Sequence, residues 1–475
     1  MTFDPSRDPP SEPSFADWAA DLTRAYLASE ETDPVRRPRD PDDLMADLGI
    51  PFSEDGLPEA DVVEKLRRLL LASPTTSSRG FFNQLFAGRE PMATLGEMLA
   101  AVMNLSMYTW KVAGPMVLVE RECIRAMAAK VGWDPAESEG AFTPGGSLSN
   151  LAAMVVARNE ALENVREDGL SVAAAGAPLT VYTSEDDHYS IRKAAGLVGL
   201  GRGNLRKVPT DDDGRMDPDA LRGMILEDRV RGCIPIMVNA TAGTTVQGAF
   251  DPLDAIADVC QDLGVWLHVD GAFGGTALLS RRRRHLLAGC RRADSFTWDA
   301  HKMMGVPLTC SVVLFPRRGL LTRHFDESAD YLFQQDEAEL NPGTRSIQCG
   351  RRNDALKLWT LWQHLGDRGW EERVEKQFAL AEHAVREIER REDLVLVRRP
   401  QSINVCFEVR GKSSEAICDL LDREGRIKVG WATVGGRKII RVVFANPRLA
   451  TADVDRFFDE VLAAAARLPA RAAEP

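Results

Sequence analysis

Two hydrophobic rhythms run along this chain. Near the N-terminus Phe15, Trp18, Leu22 and Tyr26 recur at helical spacing, and residues 62–71 repeat the amphipathic pattern, so both stretches are expected to be helices. Residues 1–13 are Pro- and charge-rich and are expected to be disordered, and residues 31–43 read as a connection of the same character. Further on, short apolar runs replace the helical rhythm, at residues 179–183, 232–240, 265–269, 295–298 and 311–315. They are bounded by turn signals and separated by helix-like segments, so they read as buried strands of an α/β sheet. One intervening helix is well signalled. Asp251 suits its N-cap, Pro252 its first position and Gly264 its stop, with Leu253, Ile256, Ala257, Cys260 and Leu263 as the apolar stripe. From about residue 360 helical and strand patterns alternate again, with strands expected at 402–409 and 439–444 in a smaller C-terminal unit.

Composition narrows the class. The 475 residues allow two or three domains, and 44% hydrophobic with 27% charged residues is a globular balance. A net charge of −12 argues against a nucleic-acid-binding surface. The Arg run at 281–284 reads as a solvated helix face. The eight cysteines form no CxxC and the seven histidines no HxxxH, so neither a disulfide framework nor a metal site is expected, and several cysteines fall in apolar runs as core thiols. No uninterrupted apolar stretch approaches a membrane span. The N-terminus is acidic and Pro-rich, unlike a signal peptide, and a cytoplasmic location is expected.

Chemistry enters at the ends of the apolar runs. In open α/β sheets ligands bind outside the carboxyl ends of strands. Asp270 ends one run, and Asp299, Ala300, His301 and Lys302 follow the next, which places a carboxylate and an amine at the mouth of one site. That pair suits pyridoxal 5′-phosphate (PLP), which takes a covalent lysine and an acidic partner for its ring nitrogen. Spacing alone equally allows a surface lysine and a capping aspartate. Upstream, FTPGGSLSN at 142–150 is Gly-rich and precedes a helical run, 151–161, the arrangement that presents free backbone N–H groups to an anion. Gly199, Gly201 and Gly203 do not fit the dinucleotide fingerprint GxGxxG.

The ordered motifs settle between these readings. HVDGAFGG, WDAHKMMGV and NATAGTTVQGAFDPLDAIADVC resemble, nearly residue for residue in the last case, the group II PLP-dependent amino-acid decarboxylases, in their glutamate, cysteine sulfinate and aspartate branch. Matches run from FFNQLFAG at Phe81 to IIRVVFANP at Ile439, roughly three quarters of the chain. The resemblance implies the fold type I PLP architecture: an N-terminal helical segment, residues 1–79, packed on a partner subunit; a large α/β domain, 80–345, with a mostly parallel seven-stranded sheet; and a small α+β domain, 346–475, in a homodimer. It assigns Lys302 to covalent cofactor attachment, Asp270 to the ring nitrogen, and His188 to stacking on the ring. It assigns Tyr331, in DYLFQQD, to protonation of the product. Gly146, Ser147, Ser149 and His301 are implied as phosphate contacts, with Thr245 and Ala272 beside the ring. Cys349 and Gly350 are implied to reach the neighbouring subunit's phosphate.

For substrate, the resemblance implies Arg441 as partner of the α-carboxylate and Gln84 as a contact. Phe86, Ser106 and Tyr108 match the pattern of branch members that act on cysteine sulfinate or aspartate. L-Aspartate or L-cysteine sulfinate is therefore expected over L-glutamate. Glutamate or another polar amino acid is the alternative, with aldehyde formation or non-catalytic PLP binding behind it. Three departures stand out: Arg79-Gly80 for His-Pro, Lys111 for an acidic residue, and Asp299 for Asn.

Overall fold

The computed structural model describes residues 13–32, 34–35, 37–327 and 338–470. Tyr331 lies outside them. Seven strands form the main sheet: β1 (Glu139–Thr143), β2 (Leu179–Ser184), β3 (Leu205–Val208), β4 (Ile234–Thr241), β5 (Trp266–Asp270), β6 (Ser295–Asp299) and β7 (Ser311–Phe315). Their order is β1-β7-β6-β5-β4-β2-β3. Only β7 runs against its neighbours β1 and β6, so the other six strands point their carboxyl ends the same way. The mostly parallel seven-stranded expectation is met. β1, β2, β6 and β7 are buried along their whole length; the last three coincide with apolar runs in the sequence, whereas β1, Glu-Gly-Ala-Phe-Thr, does not form one.

A second sheet lies in the C-terminal region: β8 (Leu394–Leu396), β9 (Asn404–Val409), β10 (Gly430–Val434) and β11 (Arg437–Val443), antiparallel throughout in the order β10-β11-β9-β8. The helix Ala355–Arg390 packs against elements near both sheets and bends at Gly366 (φ 58°, ψ −177°). The N-terminal periodicities become the helices Phe15–Thr32 and Glu59–Ala72.

Two local expectations are corrected. Asp251 does not cap its helix, Leu253–Leu263, which starts without a side-chain cap. The Asp251 carboxylate is buried instead, and its two oxygens accept the Met216 and Thr241 amides, each at 2.7 Å. Gly264 does stop the helix in the left-handed conformation. The Arg281–284 run is no helix face. Residues 281–283 form a turn before a short 3₁₀ segment, Arg284–Leu287, and latch onto the long helix. Arg281 pairs with Glu371, and Arg283 pairs with Glu382 and lies 4.5 Å from the Phe378 ring centre. The Arg79-Gly80 departure also has its own packing. Arg79 pairs with the buried Asp453 at 2.9 Å, and a Cβ at Gly80 would stand 2.3 Å from the Arg426 carbonyl oxygen.

Candidate active site

Register across the main sheet assembles the site from strand ends. Thr143, Ser311 and Asp299 lie in one row across β1, β7 and β6, and Thr241, Asp270 and Thr297 lie in another across β4, β5 and β6. A cavity of about 260 Å³ opens along these ends. Gly146 and Ser147 line it from the first turn of the helix Gly146–Ala161, where backbone N–H groups lack intrahelical partners. Asp270 and Ala272 line it from β5 and its following turn, Thr245 from the turn after β4, and His188 from the segment after β2. Asp299, His301 and Lys302 close it from β6.

Most of the expected cofactor set is therefore in one place: Gly146, Ser147, His188, Thr245, Asp270, Ala272, His301 and Lys302. Ser149 is not. It is fully buried, and its hydroxyl pairs with that of Thr143 at 2.6 Å. Among the substrate candidates, Leu85 reaches the cavity while its neighbours Gln84, exposed, and Phe86, half-buried 6.5 Å from the Phe81 ring, do not line it. Arg441 stands behind Thr245. Its guanidinium donates to the Thr245 carbonyl at 3.0 Å and to the Asn83 carbonyl. No carboxylate pairs with it among the described residues, and burial lowers its pKa. Ser106 and Gly350 border a separate recess of about 370 Å³. Cys349 is exposed, and Tyr108 accepts the Gly343 amide through its carbonyl; none of these four lines the cavity of Lys302. Lys111 is exposed on the short helix Trp110–Ala113, outside the cavity.

The electrostatics centre on Asp299. Burial opposes its charge, but Lys302, His301 and the Ser311 hydroxyl outweigh burial and hold its carboxyl below the usual range. Oδ2 lies 3.1 Å from the Lys302 Nζ and 3.7 Å from the His301 Nε2, and Oδ1 accepts the Ser311 hydroxyl. A Cβ on Gly146 would sit 2.6 Å from the same Oδ2, so only glycine fits beside it. Burial pushes His188 and His301 down, against the pull of Asp270 on the first and Asp299 on the second.

These groups fit PLP. A primary amine, a buried carboxylate, a flat imidazole and a helix N-terminus all face one cavity. The Asp299 carboxylate beside Gly146 is the one feature that disfavours an anion there, and Lys302 and His301 offset it. Residues that sequence reasoning did not select include Asn150, which lines the cavity and donates to Asp270 Oδ2 at 2.8 Å, and His268. Strand alternation held a signal for the second, because His268 stands two residues before Asp270 and so on the same face of β5.

Residues 41–410 match the pyridoxal-dependent decarboxylase conserved domain. The cysteine sulfinic acid decarboxylase of Mus musculus is 40% identical over 445 residues, covering 89% of this chain and 89% of the relative. The acidic amino acid decarboxylase GADL1 of Homo sapiens is 36% identical over 483 residues, covering 96% of this chain and 92% of the relative. The fold is similar to the crystal structure of mouse CSAD, with a TM-score of 0.88 and 36% identity over 94% of this chain and 98% of that one. It is also similar to Oryza sativa TDC solved with PLP and tryptamine, with a TM-score of 0.88 at 24% identity over 98% and 99% of the two chains.

Proposed function

The chain belongs to the pyridoxal-dependent decarboxylases, and from that premise we propose that it removes the α-carboxyl group of a short acidic L-amino acid. L-Aspartate or L-cysteine sulfinate is taken in preference to L-glutamate, and the products are the amine and CO₂. The observation that carries the reading is the convergence of Lys302, Asp270 and His188 on one cavity at the strand ends. The acidic substrate class is supported by relatives named for cysteine sulfinic acid and for acidic amino acids, and by Phe86, Ser106 and Tyr108.

PLP, when bound, supplies an electron sink for the pair left at Cα as CO₂ departs. The protein's residues do the rest. Lys302 holds the cofactor through its ε-amine. Asp270 would accept a hydrogen bond from the ring nitrogen, and the His188 imidazole would pack against the ring. Gly146 and Ser147 offer backbone N–H groups to the phosphate. Among the described residues the Arg441 guanidinium has no carboxylate partner, which suits it to the α-carboxylate of the substrate. We also read the enzyme as a homodimer in which Ser106, Tyr108, Cys349 and Gly350 serve the partner's cavity. In support, the helix Pro91–Met103 exposes Leu95, Met98, Leu99 and Val102 on its surface beside that recess.

The test is CO₂ release from L-aspartate, L-cysteine sulfinate and L-glutamate measured side by side. One methylene is worth about 10- to 200-fold in a fitted pocket, and the shorter acids are expected to lead glutamate by a factor in that range. Faster glutamate turnover refutes the substrate assignment. Lys302→Ala is expected to lose both turnover and the visible absorption of covalently held cofactor.

A further inference from the structure

Asp270 sits at the end of a hydrogen-bond chain whose direction can be read from its carboxylate end. Trp266 Nε1 lies 2.8 Å from Ser295 Oγ, which lies 2.8 Å from His268 Nδ1. His268 Nε2 lies 3.1 Å from Asn150 Oδ1, and Asn150 Nδ2 lies 2.8 Å from Asp270 Oδ2. Ser295, His268 and Asn150 are at most 1% exposed.

An indole N–H can only donate and a carboxylate can only accept. Asp270 therefore takes the Asn150 amide N–H, which turns Asn150 Oδ1 toward His268 Nε2 and puts the His268 proton there. His268 Nδ1 is then the acceptor, and Ser295, which accepts from Trp266, donates to it. The Asn150 amide nitrogen then faces Asp270, with its second hydrogen on Ser190 Oγ at 3.0 Å. With the other histidine tautomer, two bare acceptors would face each other at His268 and Asn150, or a flipped Asn150 would aim its oxygen at the Asp270 carboxylate. Thr297 Oγ1 lies 3.4 Å from His268 Nε2, and the Ser295 backbone is a further hydrogen-bond neighbour of the ring. Burial lowers the His268 pKa to about 4, so the ring is neutral near pH 7.

We propose that Asn150, His268 and Ser295 are positioning residues of this enzyme. Their one-way chain fixes the Asp270 carboxylate in the orientation that would meet the ring nitrogen of PLP. Asp270 Oδ1 is separately held by the Ala272 amide at 3.1 Å, so each oxygen carries one protein donor and the carboxylate plane cannot turn. The inference rests on the reading of Asp270 as the ring-nitrogen partner.

The experiment measures PLP affinity by titrating apoenzyme, the visible absorption maximum of bound PLP, and kcat and KM separately, for wild type, Asn150→Ala, Ser295→Ala, Ser295→Thr and Asp270→Ala. Losing a hydrogen bond to a charged group is expected to weaken PLP binding by about 10- to 100-fold in Asn150→Ala, with a displaced absorption maximum and a fall confined to kcat. Ser295→Ala should move the same readouts less far, and Ser295→Thr, which keeps the hydroxyl, should restore most of the affinity. If Asn150→Ala does not fold, the Ser295 pair carries the test. Equal affinity and spectra for Ser295→Ala and Ser295→Thr, or wild-type behaviour of a folded Asn150→Ala, overturn the proposal while Asp270→Ala is still impaired. Wild-type PLP binding and turnover in Asp270→Ala would instead overturn the underlying assignment of Asp270, and this proposal with it.

Discussion

Asp299 stands where the resembling decarboxylases carry an asparagine, and the structure gives that difference a concrete cost. Its carboxylate abuts Gly146, where the cofactor phosphate is expected, and it holds the Lys302 amine at 3.1 Å. Loading PLP must separate that pair and place an anion beside a carboxylate. Asp299→Asn is therefore expected to tighten PLP binding by about tenfold, the scale of one unit-charge contact between exposed and half-buried dielectric. Equilibrium titration of apoenzyme with PLP checks it, and weaker binding in the variant would mean that Asp299 helps to hold the site together. Lys302, Asp270 and His188 were legible in the sequence because each ends an apolar run or sits in an ordered motif. Asn150 was not, because what distinguishes it is a bond to Asp270 across 120 positions of chain. The displacement of Ser149 from the cavity was equally hidden, since helix phase decides which hydroxyl of a Gly-rich loop turns inward.

At the scale of elements, apolar rhythm located the strands and polar residues misled. Asp251 has the sequence of a helix cap, yet burial makes it a clamp between the Met216 amide and the Thr241 amide at the end of β4. A carboxylate offers an acceptor to each donor, whereas an asparagine turns its NH₂ toward one of them. Asp251→Asn is expected to cost about 1–3 kcal/mol, the range for leaving one buried donor unsatisfied. Urea unfolding of the apoenzyme measures it, and an unchanged midpoint would show that the clamp is not needed. The Arg281–284 run misled for a related reason. Four consecutive charges suggest solvent, but the glutamates they pair with lie some 80 to 100 residues later on the long helix, as Arg281 with Glu371 and Arg283 with Glu382 show. Contacts at that separation leave no local trace.

For the whole molecule, the cavity joins strand ends and the turn after β4, and Arg441 ties that turn to the second sheet through the Thr245 carbonyl. A ligand that bridges them should stabilise the entire fold. PLP at 100 times its dissociation constant is expected to add about 2.7 kcal/mol, read as a rise in thermal midpoint, and Lys302→Ala should lose most of that rise. The homodimer reading has its own check. Lys302→Ala mixed with a variant disabled at Ser106 and Gly350 should regain activity through one intact cavity per mixed dimer, and no recovery would mean that each chain serves its own cavity. The row Thr143–Ser311–Asp299 bears on the order of synthesis. β7 is the last strand of its sheet to be made, yet it is wedged between β1, made long before, and β6. Until Ser311 has left the ribosome and folded back, β1, which leads into Gly146, has no strand partner in the sheet, and such non-local pairing is slow. A nascent chain halted before residue 311 should be unable to capture PLP, however complete its motifs.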